Sequence, residues 1–190
     1  MMSVSFYGLK ENIQYGHEAI NRVKSEFPNG FVSSSYYDVF AQDKDSEIQE
    51  KYNQAIYKTR DLISYKNRIT ASLKKATRLA VKETGAANCG EQSRLVSQQL
   101  DEMGIKNKII CMEVHSNKDR ELLDGHTFCV VDTDNPIDPR EPRNWSSDAV
   151  VVDMWSNTVA KSKDALKFFH SFLKPNPQTQ YVEYFEVEDY

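Results

Sequence analysis

At 190 residues the chain is long enough for one domain with a sizeable core, or one domain plus a helical extension. Its hydrophobic content of 39% and aromatic content of 11% suit a soluble globular protein, and no window reaches the roughly 18 apolar residues of a membrane span. A formal charge of −4 offers nothing to a polyanion, so no nucleic-acid partner and no stable membrane insertion are expected.

The opening Met1-Met2-Ser3-Val4-Ser5-Phe6 lacks a basic stretch and a long apolar run, so no cleaved secretory signal is expected. From Lys10 to Phe27, Ile13, Ile20, Val23 and Phe27 recur at helical spacing, and Pro28-Asn29-Gly30 stops the helix. Ser46-Glu47-Ile48-Gln49 reads as a capping box with Ser46 as N-cap and Gln49 reaching back. After it, Ile48, Tyr52, Ile56, Ile63, Ile69, Leu73, Ala76 and Ala80 form a broken stripe, as one long helix or two. Residues 44–82 hold ten Lys and Arg against four Asp and Glu. Such a run is a solvated helix face, or else a surface for an acidic protein or lipid headgroups.

Residues 85–190 read differently. Cys89 to Met103 is a helix with Leu95, Val96, Leu100 and Met103 as its buried stripe, closed by Gly104 and Ile105. Lys108 to Val114 reads as a strand, followed by a polar loop to Gly125, and His126 to Asp132 as the next strand. Thr133 to Ser147 carries Pro136, Pro139 and Pro142 and is a long irregular connection. Ala149 to Trp155 is a third strand, Ser162 or Lys163 to Leu173 a helix, and Gln180 to Val187 a last strand. The acidic, aromatic tail from Tyr181 to Tyr190 reads as an edge strand, or alternatively as a transport address.

Three residues stand where a thiol nucleophile needs them. Cys89 follows the small-residue turn Gly85-Ala86-Ala87-Asn88 and opens a helix, whose positive end favours thiolate. Alone, it reads equally well as a small cysteine packing a helix start. His126 begins a strand after Gly125, from where its ring can project toward a neighbouring helix end as general base. Asp153 lies on an apolar strand, where an unpaired carboxylate is costly and an imidazole N–H is a good partner. Asp132, Asp134, Asp138 and Asp148 compete for that role, with Asp148 the reserve.

The Cys89 N–H is the natural oxyanion donor. The Asn88 side-chain amide is a second candidate, against its ordinary role as N-cap. Trp155 walls the site, covers Asp153, or is a core aromatic. His17-Glu18 lacks the second histidine of a zinc protease, and Cys89, Cys111, His115 and Cys129 lack metal-ligand spacing. With no phosphate-binding glycine motif either, no metal or cofactor is expected. Three cysteines do not make a disulfide framework, and Cys111 and Cys129 read as core.

Cys on a helix start, His on a strand and Asp on the next strand is an order similar to that of the papain-like superfamily. Asn88-Cys89-Gly90-Glu91, Gly125-His126-Thr127-Phe128-Cys129-Val130-Val131 and Ala149-Val150-Val151-Val152-Asp153-Met154-Trp155 resemble the nucleophile turn, histidine strand and acid strand of its transglutaminase-like and bacterial-effector branches. Thr127 replaces the usual alanine and Met154 the usual proline; neither change removes a chemical group. The resemblance covers about residues 85–156. It implies an α+β fold with a papain-like, transglutaminase-like core over residues 85–190, the nucleophile helix packed on an antiparallel sheet; the helical N-terminal part over 1–84 is read from its own periodicity and carries no comparable motif. The resemblance also implies Cys89 as nucleophile, His126 as base and Asp153 as orienting acid. The expected activity is acyl transfer on a protein amide, with glutamine deamidation ahead of proteolysis and transglutamination. The expected partner is a protein substrate, a host protein if the chain is injected into a host cytoplasm. The rival is a non-enzymatic binding module that docks through its basic helices.

Overall fold

The computed structural model describes residues 6–35 and 45–187. Their elements run α1 (Phe6–Glu26), α2 (Ser46–Thr70), α3 (Leu73–Thr84), α4 (Cys89–Glu102), β1 (Asn107–Ser116), β2 (Leu122–Val131), a 3₁₀ turn at Pro142–Asn144, β3 (Val150–Asp153), β4 (Thr158–Lys161), α5 (Ser162–Leu173) and β5 (Gln180–Glu186). The strands form one sheet in the order β4-β3-β2-β1-β5, with every neighbouring pair antiparallel. The fold is therefore α+β. Lys44 of the basic segment and residues 188–190 of the acidic tail lie outside the described residues.

Alternation along the strands gives each face of the sheet its own core. On one face, Cys129, Val131, Val150 and Val152 meet Ala19, Ile20 and Val23 of α1 and Leu95, Val96 and Leu100 of α4. On the other, Phe128, Val130 and Val151 meet Trp145 and Ala165 and Phe169 of α5. The approach of α1 is close enough that Gly16 has no room for a side chain. A Cβ there would stand 2.7 Å from Val152 and 2.8 Å from Val159.

The helical stripe after Ser46 resolves into two helices. Ala71 takes a left-handed conformation (φ 50°) and ends α2, and Ser72 caps α3 by accepting from the Lys75 N–H. The N-cap of α2 is Asp45, not Ser46: its carboxylate accepts from the N–H groups of Glu47 and Ile48. A carboxylate at a helix start also meets the positive end of the dipole, an advantage serine lacks. Gln49 turns away from the cap and donates to Ser34 O and Asn53 Oδ1.

The helix of Cys89 closes as its sequence suggests. Gly104 is left-handed (φ 73°), its N–H reaches Asp101 O, and the Ile105 N–H reaches Leu100 O. Two strand boundaries differ from expectation. β2 starts at Leu122 rather than His126, because Leu122, Asp124 and Gly125 pair with β1 while their side chains stay exposed. That pairing leaves no hydrophobic alternation to read. β3 ends at Asp153, so Trp155 lies in the turn that leads into β4. β4 itself was unanticipated. Asn157 supplies the left-handed residue (φ 56°) that folds it back on β3.

The basic segment is largely tied into the fold. Lys66 pairs with Glu83, Lys74 with Asp101, Lys82 with Glu26, and Arg78 with both Glu26 and Glu102. These pairs fasten α2 and α3 to each other, to α1 and to α4. No helix among the described residues is long and apolar enough to cross a membrane.

Candidate functional site

Cys89 is the first residue of α4. Gly85 (φ 69°) ends α3, and the segment after it is pinned by Val32, whose N–H reaches Gly85 O and whose carbonyl accepts from Ala87 N. Asn88 is the N-cap residue, and its N–H donates to Glu91 Oε2 at 2.9 Å. Glu91 in turn accepts from Arg60 Nε at 3.1 Å. The Asn88 side chain holds a serine run: Oδ1 accepts from Ser33 Oγ (2.9 Å) and the Ser35 N–H, and Nδ2 donates to Ser34 Oγ (3.1 Å). That leaves one Asn88 amide hydrogen for any other partner. The first-turn N–H groups of α4 have no intrahelical acceptor and carry the positive end of the helix dipole beside the thiol.

His126 sits in the interior of β2, four residues after its start, and not at a strand end. β3 pairs with β2 only at Cys129, Val130 and Val131. His126 therefore lies past the end of β3, and β1 is its only strand neighbour. Its Nε2 lies 2.8 Å from Asp153 Oδ2. An ionised carboxylate only accepts, so Nε2 carries the hydrogen and Nδ1 is left for the remaining partner. The Cys89 side chain also favours the charged form of the ring.

Ser93, one turn along α4, fixes this meeting. Its hydroxyl lies 2.7 Å from Cys89 O and 2.8 Å from Thr127 O, and so bridges the Cys89 backbone to the residue after His126. Cys129 Sγ donates to Ser93 O at 3.1 Å.

Asp153 is held as tightly. Oδ1 accepts from the Trp155 N–H at 3.1 Å, and Oδ2 accepts from the N–H and hydroxyl of Ser156 as well as from His126. The carboxylate is thus saturated by the turn that follows it, an Asx turn closed by a serine. Trp155 Nε1 donates to Ser35 Oγ at 3.1 Å, joining this turn to the serine run on Asn88.

His126 is 2% exposed and Asp153 1%. The imidazole is walled by Trp155 (centroids 4.8 Å), by Phe169 (4.7 Å, edge-on) and by Phe172 (5.6 Å). Burial opposes charge on the ring, but the Asp153 carboxylate, its hydrogen bond and the Cys89 sulfur outweigh it, and the His126 pKa is pushed up to about 10. Burial pushes the Cys111 thiol up to about 11, so it stays protonated near neutral pH.

The structure thus joins His126 and Asp153 by a hydrogen bond and, through Ser93, ties the Cys89 backbone to the residue after His126. Asp148, the reserve acid, is elsewhere, with its backbone carbonyl on Asn12 Nδ2 of α1. Asp132 caps its own turn and takes hydrogen bonds from Asn135 and Ser146. Sequence reasoning missed Ser93, Ser156, the serine run and the α5 phenylalanines. Only Ser156 carried a signal, a serine three residues after an aspartate. Among the described residues, no group of three or more His, Cys, Asp or Glu is placed to hold a metal. The chain matches no family model, no curated protein and no solved structure.

Proposed function

We propose that the protein is a cysteine-dependent acyl-transfer enzyme acting on a protein amide, with glutamine deamidation as its reaction. The observation that carries this reading is the buried, hydrogen-bonded pair His126–Asp153 beside Cys89, whose backbone Ser93 ties to Thr127. In it Cys89 attacks the carbonyl carbon as thiolate, and the electron pair of the C=O moves to oxygen. The first-turn N–H groups of α4 receive that charge. The protonated His126 then gives its proton to the leaving nitrogen as the C–N bond breaks, and the amine or ammonia departs. Water, deprotonated by His126, attacks the thioester and releases the acid and the thiol. Asp153 holds the ring in the tautomer that this exchange needs and stabilises its charged form.

The papain-like, transglutaminase-like reading rests on the order of the three motifs and on a nucleophile helix packed against an antiparallel sheet. Proteolysis and transglutamination use the same three residues and differ in the bond attacked and the acceptor. Action on a host protein after injection is part of this proposal. The test compares candidate protein substrates treated with wild type and with Cys89→Ala by mass spectrometry. The expected product keeps its chain intact and gains only the mass of amide-to-acid exchange. Chain cleavage would identify a protease, and an added amine or cross-link a transglutaminase. Products that persist with Cys89→Ala would defeat the thiol mechanism.

A further inference from the structure

On the α5 face of the sheet, the 3₁₀ turn, the start of α5 and strand β5 enclose a cleft of about 930 Å³. That size suits a small ligand. None of Cys89, His126 and Asp153 lines it. Its walls are apolar and aromatic, with Trp145, Leu166, Val182 and Tyr184 among them. Its charged lining residues are all basic: Arg143, Lys161 and Lys163, with no Asp or Glu. In a chain of net charge −4, that local sign is set by position and not by composition. His170 is left out of the count because burial lowers its pKa; its Nε2 lies 2.9 Å from the Tyr184 hydroxyl.

Two further features converge there. The N-terminus of α5 opens into the cleft, and its N-cap, Lys161, makes no side-chain cap. Ser162, the first residue of this 12-residue helix, is 6% exposed and lines the cleft. Its N–H goes to Ala149 O, but its hydroxyl has no hydrogen-bond partner among the described residues. A hydroxyl free to donate at an uncapped helix start between two lysines is placed to hold an anion. Asp164 in the first turn is exposed and does not line the cleft.

We propose that this cleft binds an aryl phosphate: a phosphate monoester seated at the start of α5 on the Ser162 hydroxyl, with Lys161, Lys163 and Arg143 around it and the aromatic body against Trp145, Leu166 and Tyr184. Three cations and a hydroxyl suit a doubly charged head better than a carboxylate. The source is either a free small molecule or a phosphorylated tyrosine side chain, since both present the same group.

The test is calorimetric titration of the full chain with phenyl phosphate, inorganic phosphate, p-cresol and a short phosphotyrosyl peptide. Phenyl phosphate binds more tightly than either fragment alone, and the binding weakens as salt rises. The Lys161→Gln/Lys163→Gln double variant weakens it by about tenfold or more, and Ser162→Ala weakens it measurably. Unchanged near-ultraviolet circular dichroism and unchanged Cys89 alkylation show that the variants are folded. A peptide that outbinds phenyl phosphate identifies a protein source, and one that binds less tightly a free metabolite. No phenyl phosphate binding at millimolar concentration, equal binding by p-cresol, or affinity unaltered in both variants overturns the proposal.

Discussion

His126 and Asp153 share a buried hydrogen bond beside Cys89. The motif order made Cys89, His126 and Asp153 legible, because each residue type sits next to its own local signal: a turn before a helix, a glycine before an apolar run, an acid ending three valines. The residues that hold them in place were not legible. Ser93 and Ser156 act through hydroxyls whose partners are set by backbone geometry, and a serine in a helix or turn has no pattern that distinguishes it. Two predictions belong at this scale. Iodoacetamide at mildly acidic pH alkylates Cys89 selectively, since Cys111 is held protonated and Cys129 is fully buried. Peptide mapping reads this, and His126→Ala removes the selectivity; equal slow labelling of all three thiols would defeat the activated-thiol reading. The second concerns stability. The folded pKa of His126, about 10, lies above the ordinary imidazole value of 6.5, so the folded state holds a proton that the unfolded chain releases first. The stabilisation is complete below about pH 6.5 and is lost as pH rises through 10. Within that window wild type loses stability relative to His126→Ala by up to about 1.4 kcal/mol per pH unit. Urea unfolding across pH 6 to about 10 checks it, and parallel curves for the two proteins would refute it.

At the scale of elements, the site exists because two strands differ in length. β2 runs on past the end of β3, and the step between them is where His126 and Asp153 meet. His126, expected at a strand start, lies inside β2 instead, because the exposed ribbon before it has no alternating pattern. β4 was overlooked for a similar reason: four partly exposed or exposed residues directly before a helix give no periodic signal. Yet β4 flanks β3 and helps form the wall on which α1 rests. Gly16 of α1 meets that wall at Val152 and Val159, the former next to Asp153. Gly16→Ala therefore sets two opposed effects against each other. Helix propensity gains about 1 kcal/mol, and overpacking costs about 1–3 kcal/mol. Both contacts are below 3.0 Å and fall on branched, buried or half-buried side chains, so the clash wins. The expected result is a net loss of up to about 2 kcal/mol in urea unfolding with unchanged slope. A stabilised Gly16→Ala would show that α1 can slide on β3 and β4 without cost.

For the whole molecule, the change of pattern near residue 85 is a change of secondary structure and not a seam in the packing. Ala19, Ile20, Val23 and Phe27 of the N-terminal part are buried in the same core as Leu95, Val96, Val150 and Val152. Ile20, Val23 and Phe27 are each worth about 1.5–3 kcal/mol of burial, together roughly 5–9 kcal/mol. That matches the entire margin of about 5–15 kcal/mol by which a domain of this kind stays folded. Polar contacts cross the same boundary: Val32 bridges Ala86, Asn12 holds Asp148 O, Ser33 and Ser34 bond Asn88, and Ser35 bonds Trp155. The serine run and α1 thus brace both the cysteine turn and the acid turn from outside the stretch that carries Cys89, His126 and Asp153. A fragment of residues 85–190 retains every one of those motifs yet leaves one face of the sheet half uncovered. It is expected to bind a hydrophobic dye, to unfold without a cooperative transition, and to lose the selective alkylation of Cys89. Adding residues 1–84 as a separate chain should restore the transition in proportion to its concentration. A cooperatively folded 85–190 fragment with selective Cys89 labelling would mean instead that the motifs form a self-sufficient domain and the N-terminal helices an accessory to it.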